Sequence, residues 1–257
     1  MRILSPLLLS VVLISSASAQ SAQEARRQEF AELSRKIFAS PNATDAERRA
    51  VNNTSPAQME EITGRLHDLV TANLADVLEL PNTSPRKITS AVRTMFGEMS
   101  LERWGDTTNG PFASFAQVAG TRTLAVAYGM LRGGGAIPAS RSYVEFYANK
   151  SGKWERIAGI SSDFDGCTFF VSPIPAGITG QIWILVWGTR FGDTGSRMRA
   201  RLYAFYGTNA QTIWRRDELV RGSLKVGDGS VLLEYDREYH SLERVRETLY
   251  VQPDGLR

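Results

Sequence analysis

LAVAYG, Leu124 to Gly129, and WILVWG, Trp183 to Gly188, are two short apolar runs that each end in glycine. Such runs, rich in β-branched and aromatic residues and closed by a turn residue, predict strands. The likeness extends downstream. RSYVEFYANKSGKWER, Arg141 to Arg156, follows the first run, and RLYAFYGTNAQTIWRR, Arg201 to Arg216, follows the second. Five residue types recur at a constant offset: Arg141/Arg201, Tyr143/Tyr203, Asn149/Asn209, Trp154/Trp214 and Arg156/Arg216. The pairs Phe146-Tyr147 and Phe205-Tyr206 fall one residue out of step, a difference a β-bulge would absorb. A glycine-rich loop follows each first strand, Gly133-Gly134-Gly135 against Gly192-Asp193-Thr194-Gly195. A later Asp-Gly turn also recurs, Asp165-Gly166 against Asp228-Gly229. Self-similarity at one period predicts an internal duplication.

Around these two units the strand pattern covers Leu124–Gly129, Ser142–Ala148, Trp154–Ile160, Cys167–Val171, Ile182–Thr189, Met198–Tyr206, Gln211–Arg215, Ser223–Val226, Val231–Tyr235 and Val245–Val251. Asp228-Gly229 suits a tight hairpin, since both residues tolerate the positive φ of a type I′ turn. Short turns between close strands favour antiparallel meanders over crossover-linked parallel sheets. The expected fold is α+β: an N-terminal helical segment, then a mainly antiparallel β-sandwich of two similar four-stranded units sharing one core. The paired Trp and Tyr positions also resemble propeller blades. That alternative leaves an incomplete ring, because propellers close with four or more blades.

Upstream the apolar period is helical. Phe30, Leu33 and Ile37 recur at three and four residues, as do Met59, Ile62, Leu66, Leu69 or Val70, Leu74 and Val77, and then Ile88, Val92, Met95, Phe96 and Met99 share one stripe. Start signals agree. Ser55-Pro56-Ala57-Gln58 and Thr44-Asp45-Ala46-Glu47 have capping-box form, and Ser84-Pro85 repeats the Ser-Pro entry. Three or four amphipathic helices are expected, packing on each other and on the β half. His67 sits at the polar edge of its stripe with no second His or Cys nearby to make a metal pair.

The domain plan is a leader at 1–19, a helical region at 20–103, a linker at 104–111 (WGDTTNGP) and the duplicated β domain at 112–257. Met1-Arg2, the apolar run Ile3 to Ile14 and the exit Ala17-Ser18-Ala19 have the three parts of a secretory signal, with cleavage expected after Ala19. The expected location is secreted or periplasmic. With 257 residues and 42% hydrophobic content the chain can bury one large core or two modest ones. Cys167 is the sole cysteine, so stability rests on packing without an internal disulfide. A net charge of +3, with the signs interspersed, makes no electrostatic case for nucleic acid.

Four clusters bear on chemistry. Asp193-Thr194-Gly195-Ser196 resembles the active-site loop of aspartic proteases, which need two carboxylates sharing a proton. The matching loop Gly133 to Gly135 carries no acid, and Gly192 stands where that family places an apolar residue. Asp163-Phe164-Asp165-Gly166 opens like a calcium loop but lacks the later ligands. Cys167 and His240 would make a nucleophile and base only if the fold joined them. Both glycine-rich loops are preceded by arginine, Arg132 and Arg190, and lead to strands bearing Arg141 and Arg197, an expected edge for glycan or anionic ligands.

The leading expectation is an exported, non-enzymatic binding or interaction module with no cofactor. The alternative is a secreted hydrolase assembled from Asp163, Asp165, Asp193 and His240. A third reading is an envelope assembly protein that forms homo-oligomers through its helices.

Overall fold

The computed structural model describes residues 6–40, 42–80, 83–96, 113–118, 121–133, 139–161, 163–164, 167–174, 183–192, 195–206 and 209–257. Among these residues four helices precede the sheets: α1 (Pro6–Ile37), α2 (Asp45–Asn52), α3 (Pro56–Glu79) and α4 (Pro85–Phe96). Eleven strands follow: β1 (Ala113–Val118), β2 (Thr121–Arg132), β3 (Ala139–Lys150), β4 (Lys153–Ser161), β5 (Cys167–Ile174), β6 (Trp183–Gly192), β7 (Gly195–Tyr206), β8 (Asn209–Gly227), β9 (Ser230–Asp236), β10 (Arg244–Gln252) and β11 (Gly255–Leu256). The expected linker at 104–111 and the residues Asp165, Asp193 and Thr194 lie outside the described residues.

Helix α3 shows how the local code works. The Ser55 side chain accepts from the Gln58 backbone N–H, and the Gln58 side chain accepts from the Ser55 N–H, so two orphan donors are satisfied reciprocally. Pro56 follows at the first helical position, where its missing N–H costs nothing. Leu66, Leu69, Val70, Leu74 and Val77 are buried along one face, each stabilising by about 1.5–3 kcal/mol relative to exposure. The helix stops at Leu80, which is extended (ψ 139) because the following residue, Pro81, disfavours the α region. Thr44 and Glu47 make the same reciprocal cap at α2.

Two antiparallel sheets stack beneath the helices. Sheet I has the order β1-β2-β3-β4, and sheet II the order β11-β10-β9-β8-β7-β6-β5. Strand β2 alternates perfectly: Leu124, Val126, Tyr128 and Met130 join the helical core, while Ala125 and Ala127 face sheet II. Burial on both faces explains why this stretch reads as unbroken apolar sequence. Between the sheets, Ala125, Ala127, Val144, Phe146 and Ile157 meet Phe164, Val171, Ile184, Val186, Tyr203 and Phe205. The far face of sheet II is covered by its own continuation. Trp183, Leu185, Ala200 and Leu202 cluster with Leu224, Val231, Leu233, Leu249 and Leu256.

That fold-over depends on β8. Gln211–Arg215 and Ser223–Val226, expected as separate strands, belong to this single 19-residue element. Glu218 (φ 54) and Arg221 (φ 45) take left-handed backbone in its middle, so the strand bends instead of ending in a turn. Gly222 lies at the bend, where a Cβ would come within 2.8 Å of Met198 Cβ.

The constant-offset pairing does not carry over to shared structural positions. Asn149, next to last in β3, pairs with Trp154, whereas Asn209 begins β8 and pairs with Tyr206. Tyr143 belongs to the helical core, while Tyr203 belongs to the core between the sheets. A one-residue change of register sends every side chain to the other face, and the two hairpins, closing at Lys150/Lys153 and at Tyr206/Asn209, differ in bulge position and in where the turn falls against the constant offset. What β1–β4 and β5–β8 share is the order of an antiparallel meander.

Helices and sheets are also tied through the backbone. Gly133 N–H donates to the Ile37 carbonyl at 2.6 Å, and Phe38 bridges Gly133 in parallel. Gly133 has φ 101, backbone that L side chains rarely adopt.

Candidate functional site

The chemistry-bearing residues gather where α3 lies on sheet I. Glu145 of β3 sits at the centre, with its side chain 1% exposed among apolar neighbours. Arg156 of β4 donates to its Oε2 through Nε. On the other side His67 Nε2 lies 3.3 Å from Glu145 Oε1, and His67 Nδ1 lies 2.7 Å from the Tyr128 hydroxyl. An ionised carboxylate only accepts, so the Nε2 proton goes to Glu145 and Nδ1 accepts from Tyr128. Tyr143 stacks on the imidazole with centroids 4.1 Å apart.

Two local features of β4 make this arrangement fit. A register shift opposite Phe146/Tyr147 pairs Tyr147 with Arg156 and Phe146 with Ala158, turning Arg156 toward the helices. Glycine at 159 then leaves room for the ion pair: a Cβ there would overlap Arg156 Nη2 and sit 2.8 Å from both Glu145 oxygens.

Burial sets the protonation states. It is the first cause holding the His67 pKa down to about 4, with the Arg156 charge second and Asp68 opposing. Glu145 lies 3.3 Å away, yet its charge is engaged at closer range by Arg156, so it does little to keep a proton on the imidazole. Burial raises the Glu145 carboxyl above its usual range, and the hydrogen bond and charge of Arg156 pull the other way. Tyr128 and Tyr147 are both raised, first by burial and then by the nearby Glu145 charge. Both phenols are therefore neutral donors at ordinary pH.

Beside this network a cleft of about 330 Å³ opens between α3 and β4. Asp68, Thr71, Ala72, Ala75 and Glu79 form the helix wall, and Tyr147, Trp154 and Arg156 the sheet wall. The volume is at the small end of ligand pockets. Ala72 and Ala75 keep the helix wall low. Tyr147 is 3% exposed, and its hydroxyl has no hydrogen-bond partner among the described residues. Leaving such a group unpaired costs about 1–3 kcal/mol.

The sequence-predicted residues are distributed differently. Arg132 and Arg141 converge on Glu60 of α3, the first at 3.4 Å. Arg190 lies 3.5 Å from Glu218, which also accepts from Arg199. Arg197 packs over the Tyr239 ring at 5.5 Å. Asp163 accepts from the Tyr203 hydroxyl at 3.0 Å, and exposed His240 packs against Tyr239. Those two members of the expected hydrolase set thus have different partners. Cys167 begins β5. Among the described residues no three His, Cys, Asp or Glu side chains gather as metal ligands, and no helix is long and apolar enough to cross a membrane.

The sequence reading placed His67 at a boundary but missed its partners. One signal was present: Glu145 stands between Val144 and Phe146, a charge inside a run of buried residues. No family model, curated protein or solved structure matches the chain.

Proposed function

We propose that the chain is an exported, non-catalytic binding module, and that the cleft between α3 and β4 seats its ligand. The observation that carries this reading is the Tyr147 hydroxyl, buried and unpartnered in a cleft wall that also holds Trp154 and Arg156. Binding groups work best when rigid elements hold them, and here a helix and a sheet are locked by the His67–Glu145–Arg156 network. Export is supported by the charged start, the apolar run and the Ala17-Ser18-Ala19 exit. The meander shared by β1–β4 and β5–β8 supports descent from one doubled unit packed as a sandwich, with the offsets since altered.

The arginine edge is the weaker seat, because Arg132, Arg141 and Arg190 each face a carboxylate and Arg197 faces a ring. A calorimetric screen of small polar ligands against the full chain and its Trp154→Ala variant tests the proposal. Ligands that bind the wild type and lose affinity in the variant support it. Equal binding to both places the seat elsewhere.

A further inference from the structure

Building on that cleft as the seat, we infer that its ligand is an extended alkyl polyamine. Asp68 and Glu79 stand eleven residues apart on α3, close to three full turns, so both lie on the face toward β4 about 16 Å from one another. Each is exposed, and neither makes an ion pair among the described residues. The cleft therefore ends in a carboxylate at both extremities. Between them Ala72 and Ala75 leave a shallow apolar floor suited to methylene groups.

The opposite wall fits the same chemistry. Trp154 lines the cleft, and an indole ring attracts an ammonium group. Arg156 is a cation on this wall, but its charge is balanced by Glu145. The lining residues Asp68, Glu79 and Arg156 sum to one net negative charge, and the two carboxylates at the ends of the helix wall favour a ligand with cationic charge at both ends. The Thr71 hydroxyl donates to the Asp68 carbonyl at 2.9 Å, so its oxygen keeps its lone pairs for accepting. The Tyr147 hydroxyl, buried and unpartnered in the sheet wall, is a further acceptor for an internal amine.

The test is isothermal titration of the full chain with spermine, putrescine and a neutral oligosaccharide at low and moderate salt. Spermine is expected to bind more tightly than putrescine, which is too short to reach both carboxylates, and to weaken as salt rises. Asp68→Asn/Glu79→Gln, both at exposed positions, should lower spermine affinity by about tenfold or more. Ala75→Leu, which fills the floor without altering charge, should lower it as well. Equal spermine affinity in wild type and in the neutralised variant overturns the polyamine assignment. Oligosaccharide binding that Ala75→Leu abolishes, with no spermine binding, overturns the ligand class while leaving the cleft as the seat. Ligand binding that neither variant changes overturns both.

Discussion

His67 of α3 and Glu145 of β3 meet at 3.3 Å across the interface between helix and sheet, and the ring's other nitrogen takes the Tyr128 hydroxyl at 2.7 Å. The folded protein thus holds a neutral imidazole between a carboxylate and a phenol. Asp68, Tyr143 and Arg156 complete its surroundings. Helix docking and cleft geometry both depend on this contact.

The first consequence is a pH dependence. The His67 pKa is about 4 when folded against 6.5 when unfolded, so between those values the unfolded chain binds more protons. Stability from this group is complete above pH 6.5 and is lost as pH falls toward 4, by an amount on the order of 2 kcal/mol once water around the ring is allowed for. Glu145 opposes it. Its raised pKa makes the folded state hold a proton longer, so its own contribution falls as pH rises through that range. Urea melts from pH 4 to 7 on wild type and His67→Gln should show a difference between the curves that grows with pH. A constant difference contradicts the assignment.

Breaking the ion pair should have unequal effects from its two ends. Arg156→Met strands a buried carboxylate, at a cost of about 3–5 kcal/mol near neutral pH. That loss should shrink in acid as Glu145 takes up a proton. Glu145→Gln leaves a guanidinium that is half in water and easily hydrated, so about 1 kcal/mol is expected. Equilibrium unfolding of both variants at pH 7 and pH 4.5 measures the asymmetry.

Gly159→Ala should destabilise by about 1–3 kcal/mol, because its methyl displaces Arg156 and crowds the Glu145 carboxylate. The loss should be largely absent in the Glu145→Ala background, where the methyl finds room. A double-mutant cycle by chemical denaturation reads this coupling.

Ser55→Ala removes the reciprocal cap of α3 at the far end from the cleft and should cost about 1 kcal/mol. Ligand affinity should be unchanged, since none of the cleft residues touches the cap. A lowered melting temperature with an intact binding isotherm is the expected pair of results.

Much of the fold was legible because its signals are local. The capping boxes at Thr44 and Ser55 announce α2 and α3, and the unbroken apolar runs Leu124–Gly129 and Trp183–Gly188 announce β2 and β6. Where the sequence misled, local backbone geometry decided the outcome. Left-handed backbone at Glu218 and Arg221 joins two expected strands into β8, and the hairpin closing at Tyr206/Asn209 leaves Asn209 after its turn, where Asn149 precedes the one closing at Lys150/Lys153. Strand β1, Ala113–Val118, carries few β-branched residues and was not read as a strand. The site was the least legible part. His67, Glu145 and Arg156 come from three elements, and only strand register and helix docking bring them together.

Backbone amide chemical-shift mapping with spermine on the full ¹⁵N-labelled chain is the most direct test of the cleft as ligand seat. Saturable shifts at Thr71, Ala72, Ala75, Tyr147, Trp154 and Arg156 are expected, while the amides of Arg190, Arg197 and His240 stay in place. Shifts confined to those last three residues, with the α3 and β4 signals unmoved, would contradict the account.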